Sequence, residues 1–209
     1  MRVQSFRIPH RAFSVFLFNQ KNEMLLQRRA AEKITFPLVW TNTTCSHPLW
    51  GLEVDETVEE EVLGVRRAAQ RKLGHELGIP AQQLPLDKFT FLGKIHYKAP
   101  SDEKFGEHEI DYILFCKQEV DLYPNEEEVC EVQYVDQKQL RGLLQEADRG
   151  QCTVSPWFRL IADNLLENWW TKLLDGTLDQ DIMSSDGLKE IRKFDLGNID
   201  PTTGRRPLA

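Results

Sequence analysis

The sequence holds no apolar run of the roughly 18 residues that a membrane-spanning helix requires, and no Cys-x-x-Cys pair. The first absence argues against a membrane protein. The second, with only Cys45, Cys116, Cys130 and Cys152 set far apart, excludes a zinc ribbon and a dense disulfide scaffold and predicts reduced thiols. The start MRVQSFRIPH has no apolar stretch of the signal-peptide kind, so a cytoplasmic address is expected, or an organellar one if an N-terminal segment precedes this chain. Positive charge is also scarce, with 26 Lys and Arg against 33 Asp and Glu and a formal charge of −7. Nucleic acid as a partner is excluded, because that surface needs clustered cations to replace counterions on phosphates. Any anionic ligand must be small and held by a local basic pocket. Repeats and low-complexity tracts are absent too. What remains, 209 residues of which 41% are hydrophobic, suffices for one sizeable core and is short for two ordinary domains.

RAFSVFLFNQKNEMLLQRR reads as a β-hairpin, with β-rich residues 12–18, turn chemistry at 19–22 and a return strand at 24–27. From Thr57 the period becomes helical, with Val58, Val62, Val65, Ala69, Leu73 and Leu77 three or four apart. Thr57 and Glu60 suit a capping box, residues 59–61 suit the positive end of the helix dipole, and Gly78 with Pro80 ends the helix. FTFLGKIHYKA and EIDYILFCK read as strands on either side of a polar loop. A helix is predicted over residues 137–148. Another starts at Ser155-Pro156, and its stripe holds Trp157, Leu160, Ile161, Leu165, Trp169 and Leu173. Trp169 and Trp170 read as core. Mixed strands and helices predict an α/β (α+β) sandwich, one domain over residues 1–175. A polar C-terminal extension, 176–209, is expected to be partly disordered and to hold a short helix around 187–194.

The stretch TNTTCSHP puts the Cys45 thiol two residues before the His47 imidazole, and in an extended chain both face one side. The pair suits a nucleophile and its base, two metal ligands, or an acid beside a metal ligand. In Glu107-His108-Glu109-Ile110-Asp111, a strand would align three carboxylates on one face. Bare, they repel, and one would hold its proton. A divalent cation removes that conflict. His10 and His47, each beside a predicted strand, complete a mixed nitrogen and oxygen shell. Glu-x-Glu alone equally suits an exposed strand face, and a lone cysteine is usually an inert filler.

The predicted helix also carries Arg71-Lys72-Leu73-Gly74-His75-Glu76-Leu77-Gly78-Ile79. This resembles the core of the Nudix box, Arg-Glu-apolar-x-Glu-Glu-x-Gly-apolar, at Arg71, Leu73, Glu76, Gly78 and Ile79. It departs at Lys72 and His75, where the box has metal-binding glutamates, and at Thr57 and Leu63, where it has an earlier Gly and Glu. Taken in order, HRAFSVFLFN, TFPLVWTNTTCSHP, RKLGHELGI, HYKA, GEHEIDY and SPWF resemble type I isopentenyl-diphosphate Δ-isomerase, over about residues 8–175.

That resemblance implies a Nudix-like α/β/α sandwich with a mixed sheet. It also implies interconversion of isopentenyl and dimethylallyl diphosphate in isoprenoid biosynthesis. By position, Cys45 and Glu109 resemble the family's two catalytic groups and Tyr97 the tyrosine beside the catalytic carboxyl. His10, His47, Glu107 and Glu109 resemble ligands of one divalent cation, Mg²⁺, Mn²⁺ or Zn²⁺. Glu76 resembles the residue holding a second, diphosphate-bound Mg²⁺. Arg29, Lys33, Ser46 and Lys72 resemble diphosphate contacts, and Trp157 the indole over the reacting carbons. The expected partner is a small prenyl diphosphate, with no nucleic acid or membrane, and the expected state a monomer or weak dimer.

On this reading the third option holds for TNTTCSHP: Cys45 handles a proton and His47 binds metal. The family has a further histidine and a lysine upstream of the position matching His10, and here none of the nine preceding residues is His or Lys. The rivals are a Nudix-type diphosphate hydrolase and a non-catalytic prenyl-diphosphate-binding protein with an impaired metal site.

Overall fold

The computed structural model describes residues 8–100, 106–178, 190–196, 199–200 and 203–205. Their regular elements run β1 (His10–Phe18), β2 (Met24–Arg29), β3 (Trp40–Thr41), β4 (Thr44–Ser46), α1 (Leu63–Leu77), β5 (Thr90–Pro100), β6 (Gly106–Lys117), β7 (Val129–Val135), α2 (Gln137–Asp148), α3 (Pro156–Ile161), α4 (Glu167–Leu174) and β8 (Ile191–Lys193). β1 is buried on both faces from Ala12 to Phe18, the pattern of a strand covered by helices above and below. Phe13, Val15 and Leu17 meet Val65, Ala68, Ala69, Leu73 and Leu77 of α1. Phe16 and Phe18 meet Trp157, Leu160, Ile161 and Trp170 on the other side. The result is the α/β/α sandwich expected from the alternation of elements.

The sheet order is β3-β2-β1-β6-β5-β8, with β4 pairing β1 and β7 pairing β2. It is mixed: β1 with β6 and β5 with β8 are parallel, the other pairs antiparallel. β1 and β2 form the expected hairpin but pair only at Phe18 and Met24. Along the edge left open on β1, β4 pairs Ser14 with Cys45. This divergence carries the TNTTCSHP segment into the middle of the sheet.

Helix α2 has the expected bounds, because the Asp136 side chain accepts from the Gln139 amide and Gln139 reaches back to the Asp136 amide. Helix α1 begins later than the spacing predicts. Thr57 does not cap it; its amide and hydroxyl both bond Asp55 Oδ1. Glu61 and Val62 turn left-handed, at φ of 49° and 53°. The cause is Glu56, which is buried and forks to Arg71 Nε and Nη2 at 2.6 and 2.9 Å, drawing the preceding segment across the helix flank. At its far end α1 stops as expected at Gly78, whose φ is 64° and where a Cβ would lie 2.4 Å from Tyr123 O. Ser155 precedes α3 without capping it, since its hydroxyl bonds Thr41 Oγ1 instead.

The short helix expected around residues 187–194 is not found. Residues 187–189 lie outside the described set, and Ile191–Lys193 form β8, which extends the sheet from Lys94, Ile95 and His96. A parallel edge offers its unpaired amides and carbonyls to any extended segment alongside, and that outweighs a weak helical pattern. All four cysteines are unpaired. No helix among the described residues is long and apolar enough to cross a membrane.

Candidate active site

Four strands and one helix converge on a cavity of about 390 Å³. Cys45, Ser46 and His47 reach it from β4 and its end, Glu107 and Glu109 from β6, and Tyr97 from β5. Arg29 and Lys33 line it from the end of β2 and the following loop, and Lys72 and Glu76 from α1. Cys45 and Glu109, far apart in sequence, thus share one chamber. Two expected residues do not line it. Trp157 is 1% exposed and sits in the core layer that Cys45 packs against. There Phe36 stands edge-on to its ring at 5.2 Å, and its Nε1 donates to Asn42 Oδ1 at 3.1 Å. His10 is exposed, its ring centroid 6.0 Å from that of His47.

The acidic end is a chain of short contacts. His47 Nε2 lies 2.8 Å from Glu109 Oε1, and Tyr97 Oη lies 2.7 Å from Glu109 Oε2 and 2.9 Å from Glu107 Oε2. A phenol has one proton and cannot donate to both carboxylates. Burial, then the charge of Glu109, pushes the Glu107 carboxyl well above the usual range. The hydrogen bond to Glu109 raises His47, against the opposing effect of burial. The one phenolic proton of Tyr97 is thus shared between the two carboxyls, and Glu109 meets both Tyr97 and His47.

Asp111, 1% exposed, continues the acidic row. Its Oδ2 accepts from Ser14 Oγ at 2.8 Å, Oδ1 has no hydrogen-bond partner among the described residues, and burial followed by Glu109 pushes its carboxyl up. Burial also lifts the Cys45 thiol well above its usual range; Arg29 opposes this, and Glu107, Glu76 and Glu109 reinforce it. Cys45 is a protonated thiol here, not a thiolate nucleophile.

The basic end holds Arg29, Lys33 and Lys72. Arg29 is buried, its Nε and Nη2 each 3.0 Å from the carbonyls of Phe36 and Thr35. Glu76 is fixed on all sides: Oε2 accepts from Gln27 Nε2 at 2.9 Å and from Thr44 Oγ1, and Oε1 lies 2.9 Å from Lys72 Nζ. The five expected metal ligands are therefore divided. His47, Glu107 and Glu109 are linked directly or through Tyr97, His10 stands at ring-contact distance, and Glu76 belongs to the basic end. Among the described residues no three His, Cys, Asp or Glu side chains converge, as they stand, in an arrangement that holds a metal ion.

Sequence reasoning missed Glu127 and Glu128, which also line the cavity. Their run, Asn125-Glu126-Glu127-Glu128, looks like any solvated acidic turn. Only the antiparallel pairing of Arg29 with Val129 brings it beside Lys33.

Comparison with known proteins identifies the family. Residues 8–158 match the NUDIX domain family. The chain is 55% identical over 195 residues to isopentenyl-diphosphate Delta-isomerase II of Clarkia breweri, covering 92% of this chain and 66% of that one. It is 55% identical to the chloroplastic isomerase I of Arabidopsis thaliana, over 86% of this chain and 62% of the relative. With isomerase I of Camptotheca acuminata the identity is 54%, over 86% and 76%. The chain thus spans slightly less than two thirds of the length of the Clarkia and Arabidopsis relatives. A crystal structure from Deinococcus radiodurans shares the fold, with a TM-score of 0.51 at 15% identity over 79% of this chain and 90% of that one.

Proposed function

The chain belongs to the NUDIX family and, within it, to the isopentenyl-diphosphate Delta-isomerases, and from that premise we propose that it transposes the double bond of isopentenyl diphosphate to give dimethylallyl diphosphate. The observation that carries this reading is the single cavity that the Cys45 thiol, the Glu109 carboxyl and three cations all line. Moving a double bond needs a proton added at one carbon and another removed elsewhere, so a donor and an acceptor must both reach a flat alkene. In the direction from isopentenyl diphosphate, one of Cys45 and Glu109 delivers its proton to the terminal carbon while the other takes one from the neighbouring methylene.

Protonating an unactivated alkene passes through a tertiary carbocation or something near it. An aromatic face stabilises such a cation by about 2 kcal/mol or more when desolvated, roughly thirtyfold in rate if realised only in the transition state. Trp157 supplies that face in this proposal. The indole is buried, with the cavity residue Arg29 5.9 Å over its ring, so the cavity has to open toward it for it to do so. Tyr97 holds Glu109 in place from one side and His47 from the other. Arg29, Lys33, Ser46 and Lys72 grip the diphosphate, with Arg29 already locked on two backbone carbonyls.

The acidic end suits a divalent cation, because two buried carboxyls, one of them pushed well above its usual range, lie beside an imidazole. His47, Glu107 and Glu109, with His10, would hold it, and Glu76 would help to hold a diphosphate-bound Mg²⁺ once freed from Lys72. Bound there, a cation fixes the catalytic carboxyl and adjusts its proton affinity. Unpaired thiols suit a reducing compartment, and the chloroplastic name of the Arabidopsis relative makes a plastid, beside the cytoplasm, the compartment to test with a fluorescent fusion of the full-length protein.

Incubation with isopentenyl diphosphate and Mg²⁺ in deuterated water tests the reaction. Label enters substrate and product, the allylic isomer forms, and no phosphate is released. Cys45→Ala and Glu109→Gln each lose turnover by several orders of magnitude with an unchanged melting profile, in the range of residues that act as a catalytic unit. Full turnover by the Cys45 variant would remove the thiol from the mechanism, and phosphate release would favour a hydrolase.

A further inference from the structure

The basic end of the cavity already contains an anion. Lys33 Nζ contacts Glu128 Oε2, the same oxygen lies 3.9 Å from Lys72 Nζ, and Glu128 Oε1 lies 3.7 Å from His75 Nδ1. One carboxylate oxygen thus sits between two ammonium groups, the position a phosphate oxygen takes when two lysines share it. Charge balance sharpens the point. Arg29, Lys33 and Lys72 line the cavity together with Glu32, Glu76, Glu107, Glu109, Glu127 and Glu128, so an entering diphosphate meets lysines that are already paired.

Two carboxylates pair with these lysines, and they differ in freedom. Glu76 is held by Gln27, Thr44 and Lys72 and its side chain is 3% exposed. Glu128 is fixed through its backbone only, with its amide on Asn125 O at 2.9 Å and its carbonyl accepting from the Ala30 amide at 3.0 Å. Its side chain is 18% exposed, and its ion-pair partners among the described residues are Lys33, Lys72 and His75. Rotation about its side-chain bonds swings the carboxylate outward while the strand stays in place.

We propose that Glu128 is a displaceable occupant of the diphosphate seat, so that substrate binds by exchanging with its carboxylate at Lys33 and Lys72. This rests on the reading of Arg29, Lys33 and Lys72 as that seat. Exchange keeps both lysines ordered and partnered before and after binding, and spares them the penalty of a half-buried unpaired charge. It lowers affinity for substrate and, because the carboxylate returns, it speeds departure of the equally charged product.

Calorimetric titration with inorganic pyrophosphate and excess Mg²⁺ at low ionic strength tests it. Glu128→Gln tightens binding about tenfold, as expected when a charge-assisted competitor is removed, and Glu128→Ala does the same. Glu127→Gln, which removes the same charge from the same rim without an ion pair, changes binding by less than about twofold. In turnover, the Glu128 variants lower KM and also lower kcat, because product leaves more slowly. Weaker or unchanged binding in both Glu128 variants overturns the proposal, as does an equal tightening in Glu127→Gln, which reduces the effect to net charge. Lys33→Met is expected to weaken binding about tenfold. If it has no effect, the seat itself is misplaced, whatever the Glu128 variants show.

Discussion

Tyr97 has the most constrained proton in the cavity. It is 2% exposed, burial and the neighbouring carboxyls raise its own proton affinity, and it spans Glu107 and Glu109. Tyr97→Phe preserves the ring and its packing and removes only the hydroxyl, leaving Glu107 and Glu109 without their shared donor. A hydrogen bond to a charged group contributes about 1.5–3 kcal/mol, so kcat should fall about ten- to hundredfold with KM nearly unchanged, a split that steady-state kinetics resolves. An unchanged kcat would show that Glu109 needs no help from the phenol. The alternation of Glu107, Glu109 and Asp111 was legible in the sequence because a strand period of two needs no knowledge of partners. Glu128 was not, since its meaning depends on a strand pairing that crosses about a hundred residues. Trp157 falls between these cases: the family resemblance set it over the reacting carbons, whereas the structure holds it 1% exposed in the core layer beside the cavity.

At the scale of elements, local rules succeeded where the chain acts locally. Helix α2 has its bounds because Asp136 and Gln139, three residues apart, satisfy each other's amides. Helix α1 failed the same kind of rule at Thr57 because Glu56, 2% exposed, answers to Arg71 fifteen residues on and also accepts from the Leu49 amide at 2.8 Å. That ion pair pins the loop running from His47 to α1, so it braces one wall of the cavity. Glu56→Ala leaves the Leu49 amide without its acceptor and Arg71 without its counter-charge. Breaking a buried pair costs about 3–5 kcal/mol; with Arg71 one third exposed, about 2–3 kcal/mol is the better expectation. Urea denaturation should show that loss as a lower midpoint at constant slope. A loss below about 1 kcal/mol would mean that the loop holds its place without Glu56.

For the whole molecule the question is where the folded unit ends. Composition turns polar after Leu174, and from that polarity residues 176–209 read as a partly disordered extension outside the domain of residues 1–175. Its few apolar residues act otherwise. Leu178 and Ile199 are 6% and 7% exposed within the core cluster that contains Trp157, Trp169 and Trp170, and Phe194 and Leu196 pack against that cluster. Thr203 O accepts from the Val154 amide at 3.1 Å, just before α3, and β8 covers part of β5, the strand that carries Tyr97. Average composition hides this because a segment can be mostly polar and still commit single side chains to a core. Fully burying one such side chain contributes about 1.5–3 kcal/mol, so Leu178 and Ile199 together account for about 3–6 kcal/mol, a large part of a domain's usual 5–15 kcal/mol. A chain ended at residue 175 should therefore unfold at a midpoint lower by about ten degrees or more, or aggregate on expression. Leu178→Ala with Ile199→Ala in the intact chain should reproduce most of the loss. If the shortened chain melts where the full one does, the folded unit closes at residue 175 and the apolar contacts beyond it are ornamental to stability.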